Sequence, residues 1–256
     1  MEVPKWQIRR FLAFSVGILV VFAYVSCIAI SKSNDIYVGG LTFPYFSDTG
    51  REKPASYIFS SFITLASIAL VGFSILQYQY MKAWNTKLVY TNVLASVFLF
   101  VAAFCSATLS IVSSNESLDI HFYSAISFFV LTTLYVIMSF VQYRKLMFEY
   151  DEFASNRLAR NIVMGCLFVF FMLYIPIGLS VVCDFEFLSL LDCIDEEELG
   201  AAYCLDLQNE DEPGFTVLYD YTGCLTENHL RSSTQFLTIV SMMTWIILQA
   251  FDPIPQ

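Results

Sequence analysis

Charge is scarce in this chain: only 14% of its 256 residues are Asp, Glu, Lys or Arg, against about 25% in an average soluble domain. That scarcity excludes a disordered region, which stays unfolded through high charge and low hydrophobicity. Basic residues number 13 against 23 acidic ones, for a net charge of −10, which excludes a nucleic-acid partner, because phosphate backbones need a basic surface. Histidine occurs twice, too few for a zinc-dependent membrane hydrolase with its roughly three protein ligands. Ten glycines exclude collagen. A Walker loop, a G-x-S-x-G elbow and an H-E-x-x-H pair are all missing, so no enzyme class follows from a motif. No cofactor or metal is expected.

Apolar residues fill the space left by charge. They make up 57% of the chain, 17% being aromatic, and mean hydropathy is +0.63. A membrane helix needs about 20 mostly apolar residues, and six stretches qualify: 11–31, 57–81, 88–112, 122–143, 161–182 and 232–251. None of the six contains Lys, Arg, Asp or Glu. Alternating segments of about ten residues, the mark of a membrane β-barrel, are absent. The expected fold is all-α, one six-helix transmembrane domain. Ion-coupled transport is disfavoured, since ion pathways are marked by intramembrane ionisable residues.

Orientation follows from the basic residues of the connections. Lys5, Arg9, Arg10, Lys82, Lys87, Arg144, Lys145, Arg157 and Arg160 fall on one side, and Lys32, Arg51, Lys53 and Arg231 on the other. The first side is expected to be cytosolic, with both termini on it. The first apolar stretch exceeds the roughly 7–15 residues of a signal-peptide core, so it reads as a retained anchor. Asn115-Glu116-Ser117 is a glycosylation sequon on the side assigned to the lumen.

The fifth loop, 183–231, carries thirteen acidic residues and one basic one. Cys183, Cys193, Cys204 and Cys224 all lie in it. Four cysteines in one loop on the oxidising side read as two disulfides, with Cys193–Cys204, a short loop to close, the expected pair. A four-cysteine zinc site lacks its knuckle spacing, and a calcium loop lacks the EF-hand pattern. Cys27, Cys105 and Cys166 fall inside spans as packing residues. In the fourth loop Tyr150 to Phe153, and nearer the membrane Tyr143 to Leu146, fit the Tyr-x-x-apolar pattern read by endosomal and lysosomal sorting adaptors.

The first loop holds Pro44-Tyr45-Phe46-Ser47-Asp48-Thr49-Gly50, then Pro54 and Ser56. Ser-Asp-Thr-Gly is a turn signal, with short polar side chains bonding nearby amides and Gly expected at φ > 0. Pro54 is expected to end the loop and Ser56 to cap the second span. The stretch resembles the Pro-Tyr-Ile-Ser-Asp-Thr-Gly signature of the DRAM family, the damage-regulated autophagy modulators. Those belong to a superfamily with the fibroblast-growth-factor-receptor-activating protein and a GPI-anchor lipid-remodelling factor. Phe22–Val25, Ala29-Ile30, Leu109–Val112, His121, Ser124-Ala125, Phe128, Leu134-Tyr135 and His229 extend the likeness. Ala55 stands where family members carry Glu, Phe46 replaces Ile, and Gln235 is nearest to the acidic residue usual after the last His.

The resemblance implies a non-enzymatic multi-pass protein of lysosomal or related endomembranes. Its partners would be membrane lipids and other membrane proteins. The GPI-related branch implies lipid remodelling in the Golgi instead. Asp48, His121 and His229 all fall on the luminal face and form a candidate polar cluster at the lipid headgroups. Asp48 as a simple turn residue is the alternative, and the plasma membrane remains a third destination for a protein using its acidic loop as a receptor.

Overall fold

The computed structural model describes residues 4–84, 88–114, 116–181 and 186–254. Among the described residues, six helical segments are long and apolar enough to cross a membrane. They are α1 (Lys5–Ser33), α3 (Ala55–Trp84), α4 (Val89–Ile111), α5 (Leu118–Glu149), the pair α6 (Arg157–Tyr174) and α7 (Pro176–Val181), and α10 (Leu225–Leu248). A one-turn helix, α2 (Phe46–Thr49), lies between α1 and α3. At 1.5 Å per residue the 29 to 32 residues of α1, α3 and α5 span about 45 Å, well beyond the roughly 30 Å of hydrocarbon.

The helices therefore carry polar residues past both ends of the apolar stretches. The last helix begins at Leu225 rather than at 232, and Asn228 and Arg231 in its early turns are buried against protein. A membrane bundle packs through small and hydrogen-bonding residues, since lipid is as apolar as its core. Accordingly Ala13, Ala23, Ala95, Ala102 and Ala103 are buried, while Phe11, Ile18, Ile68 and Phe104 face outward and exposed. The six-helix membrane bundle is thus the observed fold.

Long helices also bring charge together where the apolar stretches contain none. At the end opposite the acidic loop, here the tail end, Arg9, Arg160 and Asp252 are each 1% exposed. Arg9 Nη2 donates to Asp252 Oδ2 at 2.7 Å, and Arg160 Nη2 and the Tyr143 hydroxyl donate to the same carboxylate. Arg9 Nε also reaches Gln77 at 2.7 Å, and its guanidinium lies 3.8 Å over the Tyr80 ring. Ionisable groups are therefore part of the helix packing, just beyond the apolar windows.

Tyr150 and Phe153 belong to this tail end too. Phe153 is 2% exposed, edge-on to Trp84, and Tyr143 and Leu146 are fully buried. The apolar residue of each tyrosine pattern, Phe153 or Leu146, is thus buried in the helix packing.

The acidic loop holds more order than its charge suggests. Strand β1 (Glu186–Ser189) pairs antiparallel with β2 (Phe215–Asp220), Phe187 opposite Tyr219. Between them lie α8 (Leu190–Asp195), capped by Ser189 Oγ accepting from Asp192 N at 3.0 Å, and α9 (Ala201–Asp206). Tyr37, Leu188 and Leu218 form a small core around the Cys193–Cys204 disulfide. Cys224 is disulfide-bonded as well. Cys183 and Asn115 lie outside the described residues. Cys27, Cys105 and Cys166 are free thiols within helices.

Candidate functional site

The Pro44–Pro54 segment is seated on α10 rather than left as a free loop. Tyr45 donates its hydroxyl to Asn228 at 2.8 Å, Ser232 Oγ donates to the Phe43 carbonyl at 2.7 Å, and Phe46 N donates to Gln235 Oε1 at 3.0 Å. Asn228, Ser232 and Gln235 are spaced by four and three, which places them on one helix face. That polar stripe is the signal in the sequence that marks the docking surface of the motif. Ser31 and Thr49 fasten the other side, with Ser31 Oγ donating to the Thr49 carbonyl at 2.9 Å.

Two expectations for the motif are corrected. Gly50 has φ −99°, not a positive value. It must be glycine because a Cβ there would lie 2.5 Å from Phe59 Cγ, and Phe59 is itself packed edge-on against Phe46. Ser56 is inside α3, its N–H bonded to the Glu52 carbonyl, so it is not the cap.

Asp48 ends up 5% exposed, accepting from the Tyr221 hydroxyl at 3.0 Å. Tyr221 reaches it from the end of the small sheet because Gly39, at φ +69°, leaves room: a Cβ there would fall 2.2 Å from the Tyr221 ring. Behind Asp48, Arg51 donates to the Tyr37 carbonyl at 2.8 Å and to Glu52 at 3.0 Å, and Tyr203 donates to Glu52 at 2.6 Å. The acidic subdomain is thereby bolted over the motif.

A cavity of about 260 Å³ opens beneath it. Asp48, His121 and Arg231 line it, with Tyr45, Tyr174 and Tyr221. The structure thus brings Asp48 and His121 to one site and leaves His229 half-buried outside its lining. His121 Nδ1 lies 2.9 Å from the Val112 carbonyl. A carbonyl can only accept, so that nitrogen carries the proton. The Arg231 guanidinium sits 5.4 Å over Tyr45 and 5.6 Å over Tyr174. Gln235 Nε2 donates to the Tyr174 hydroxyl at 2.8 Å. Below, a second and more apolar cavity of about 70 Å³ shares Ser47, His121, Ala125 and Gln235 with the first. Arg231, Tyr174 and Tyr221 had no motif to announce them; they come to the site from three separate elements.

Burial pushes the Asp48 carboxyl above its ordinary range, while Arg51, the Tyr221 hydrogen bond, His121 and Arg231 pull it back only in part. A carboxyl raised in the folded state binds its proton more tightly there than when unfolded. Its stabilising share is present at acid pH and lost as pH rises through the folded value. Going from about pH 7 to about pH 4, the melting temperature of the wild type should therefore improve relative to Asp48→Asn, which cannot titrate. A wild type that loses ground to the variant on acidification contradicts this. Arg51 is held protonated despite burial, by Asp48 and Glu52.

The fold and the cavity together define a six-span membrane protein with a mixed polar and apolar pocket under a small disulfide-stapled cap. A family model described as the Frag1/DRAM/Sfk1/Cwh43P N-terminal domain matches residues 9–194. The chain belongs to that family. No curated protein and no solved structure matches it.

Proposed function

We propose that this chain is a lipid-binding multi-pass protein of endomembranes that acts through membrane or protein contacts rather than catalysis. The observation that carries the reading is the make-up of the cavity. One end is polar, with Asp48, His121 and Arg231, and the walls are apolar, with Phe122, Ile126 and Leu179. Pockets that hold ligands combine apolar walls with a few placed polar groups, and an amphiphile matches both parts here. Membership of a family named in part for the DRAM proteins supports a lysosomal or related membrane. Imaging a tagged chain against lysosomal, Golgi and surface markers tests that compartment.

Lipid remodelling is the second reading, favoured by Asp48 and His121 lining the same cavity, since acid–base work needs such groups within reach of one substrate. Native mass spectrometry of the detergent-purified chain tests lipid binding itself. Wild type should retain lipid, and Ala125→Phe, which fills the junction of the two cavities, should lose it. A wild type that carries no lipid above the level of Ala125→Phe contradicts the proposal.

A further inference from the structure

A further cleft, of about 280 Å³, lies between the end of the motif, the start of α3 and the turn from α4 to α5. It touches the first cavity at Ser47 and His121, but Asp48, Ala125 and Arg231 do not line it. Its rim is exposed at Lys53, Tyr57 and Glu116, so it opens at the surface among them. The start of α3 forms one wall. That helix runs for 30 residues from Ala55, and its first turn holds no acidic residue. The N-terminus of a helix carries about half a positive charge, and here no side chain of the first turn offsets it. Ser56, from that turn, lines the cleft.

Arg51 is the second and independent observation. It is 7% exposed, and its Nη2 donates to the Tyr37 carbonyl and to Glu52. Its Nε is buried and has no hydrogen-bond partner among the described residues. Buried donors are nearly always paired, so this one lacks an acceptor on the side of the cleft that Arg51 lines. The carboxylates that hold its charge, Asp48 and Glu52, are not in the cleft lining. Glu116 does line it, with Oε2 accepting from Ser113 N at 3.1 Å. Lys53 adds a second cation at the rim, 5.8 Å over the Tyr57 ring. The half-buried Ser47 and Ser56 bring hydroxyls to the same lining.

We propose that this cleft is an oxyanion site and that its ligand carries a phosphate group. The oxyanion supplies the acceptor that Arg51 Nε lacks and faces the positive end of α3. Lys53 pairs with it from the rim, and the serine hydroxyls donate to its remaining oxygens. The site stands apart from the lipid-binding reading, which rests on the other cavity. Free inorganic phosphate and the phosphate of a lipid headgroup share this chemistry.

The test titrates full-length protein in detergent with inorganic phosphate and, separately, with dihexanoyl phosphatidic acid. Ionic strength is held constant with sodium chloride, and the melting temperature is read, because a ligand of the native state raises it. Wild type should show a saturable rise. Ser56→Asp places a carboxylate in the first turn of α3, which suits the helix dipole and should not lower the melting temperature. It also fills the cleft with negative charge, so affinity should fall about tenfold. Lys53→Gln, on the exposed rim, should weaken binding about threefold. Ala125→Phe should keep the wild-type response to inorganic phosphate. A response to neither ligand overturns the site, and so does equal affinity in wild type, Ser56→Asp and Lys53→Gln. Loss of the phosphate response in Ala125→Phe moves the anion to the first cavity and overturns the assignment. Similar affinity for both ligands identifies free phosphate as the source. About tenfold tighter binding of phosphatidic acid, removed by Ser56→Asp, identifies the lipid headgroup.

Discussion

Replacing Asp252 with alanine is expected to destabilise the protein by about 3–5 kcal/mol, the cost of breaking a buried ion pair from one side. Asp252 takes hydrogen bonds from Arg9, Arg160 and Tyr143 at once. Its removal strands two guanidinium groups that are each 1% exposed. The loss is aggravated at Arg160, whose Nε and Nη1 have no hydrogen-bond partner among the described residues. Backbone contacts of the same segment remain: Arg10 donates to the Asp252 carbonyl at 2.6 Å and Tyr80 to the Pro253 carbonyl at 2.8 Å. Thermal unfolding in detergent measures the effect. Replacing Arg160 by methionine in the alanine background should recover part of it, because one uncompensated charge is then removed. A melting temperature within experimental error of wild type for Asp252→Ala would show that the triad contributes nothing.

The second large effect is at Gly50. A valine there puts a branched side chain where Phe59 Cγ and Cβ lie 2.5 and 2.7 Å from the first added carbon. Phe59 is 5% exposed and wedged against Phe46, so it cannot step aside without moving α2 off α10. Overpacking of this kind costs about 1–3 kcal/mol. Phe46 N would lose Gln235 and Tyr45 would lose Asn228 if the turn lifts. Gly50→Val is therefore expected to lower the melting temperature and to empty the cavity of lipid together. Gly50→Ala should follow the same direction with a smaller loss. Full lipid retention in Gly50→Val would mean that the motif's seating on α10 does not shape the cavity.

The spans were legible because a bilayer demands long uncharged runs, and nothing else in the chain imitates them. Their ends were not. Hydropathy falls wherever Asn228, Arg231, Arg9 or Arg160 appears, yet each is taken up by protein rather than by water. The tail-end triad was invisible because Asp252 lies 243 residues from Arg9 and 92 from Arg160. Asp48 and His121 were legible as candidates through their shared end of the spans, and the structure places both on one cavity. His229 shares that face in sequence, but its helix begins earlier than its hydropathy suggests, and it falls outside the cavity lining. The sheet of the acidic loop was masked by the charge around it. Pro176 was the overlooked signal, a helix breaker inside an apolar stretch, and it marks the wall of the site.

The most direct measurement of the lipid-binding account places a photo-crosslinking phenylalanine analogue at Phe122 or at Tyr123. Phe122 lines the cavity, whereas Tyr123, its neighbour on α5, is 65% exposed on the outer face. Irradiation after solubilisation in detergent should attach a lipid to the chain labelled at 122 and only detergent to the chain labelled at 123. Detergent alone at both positions would contradict a bound lipid and leave the cavity a feature of packing.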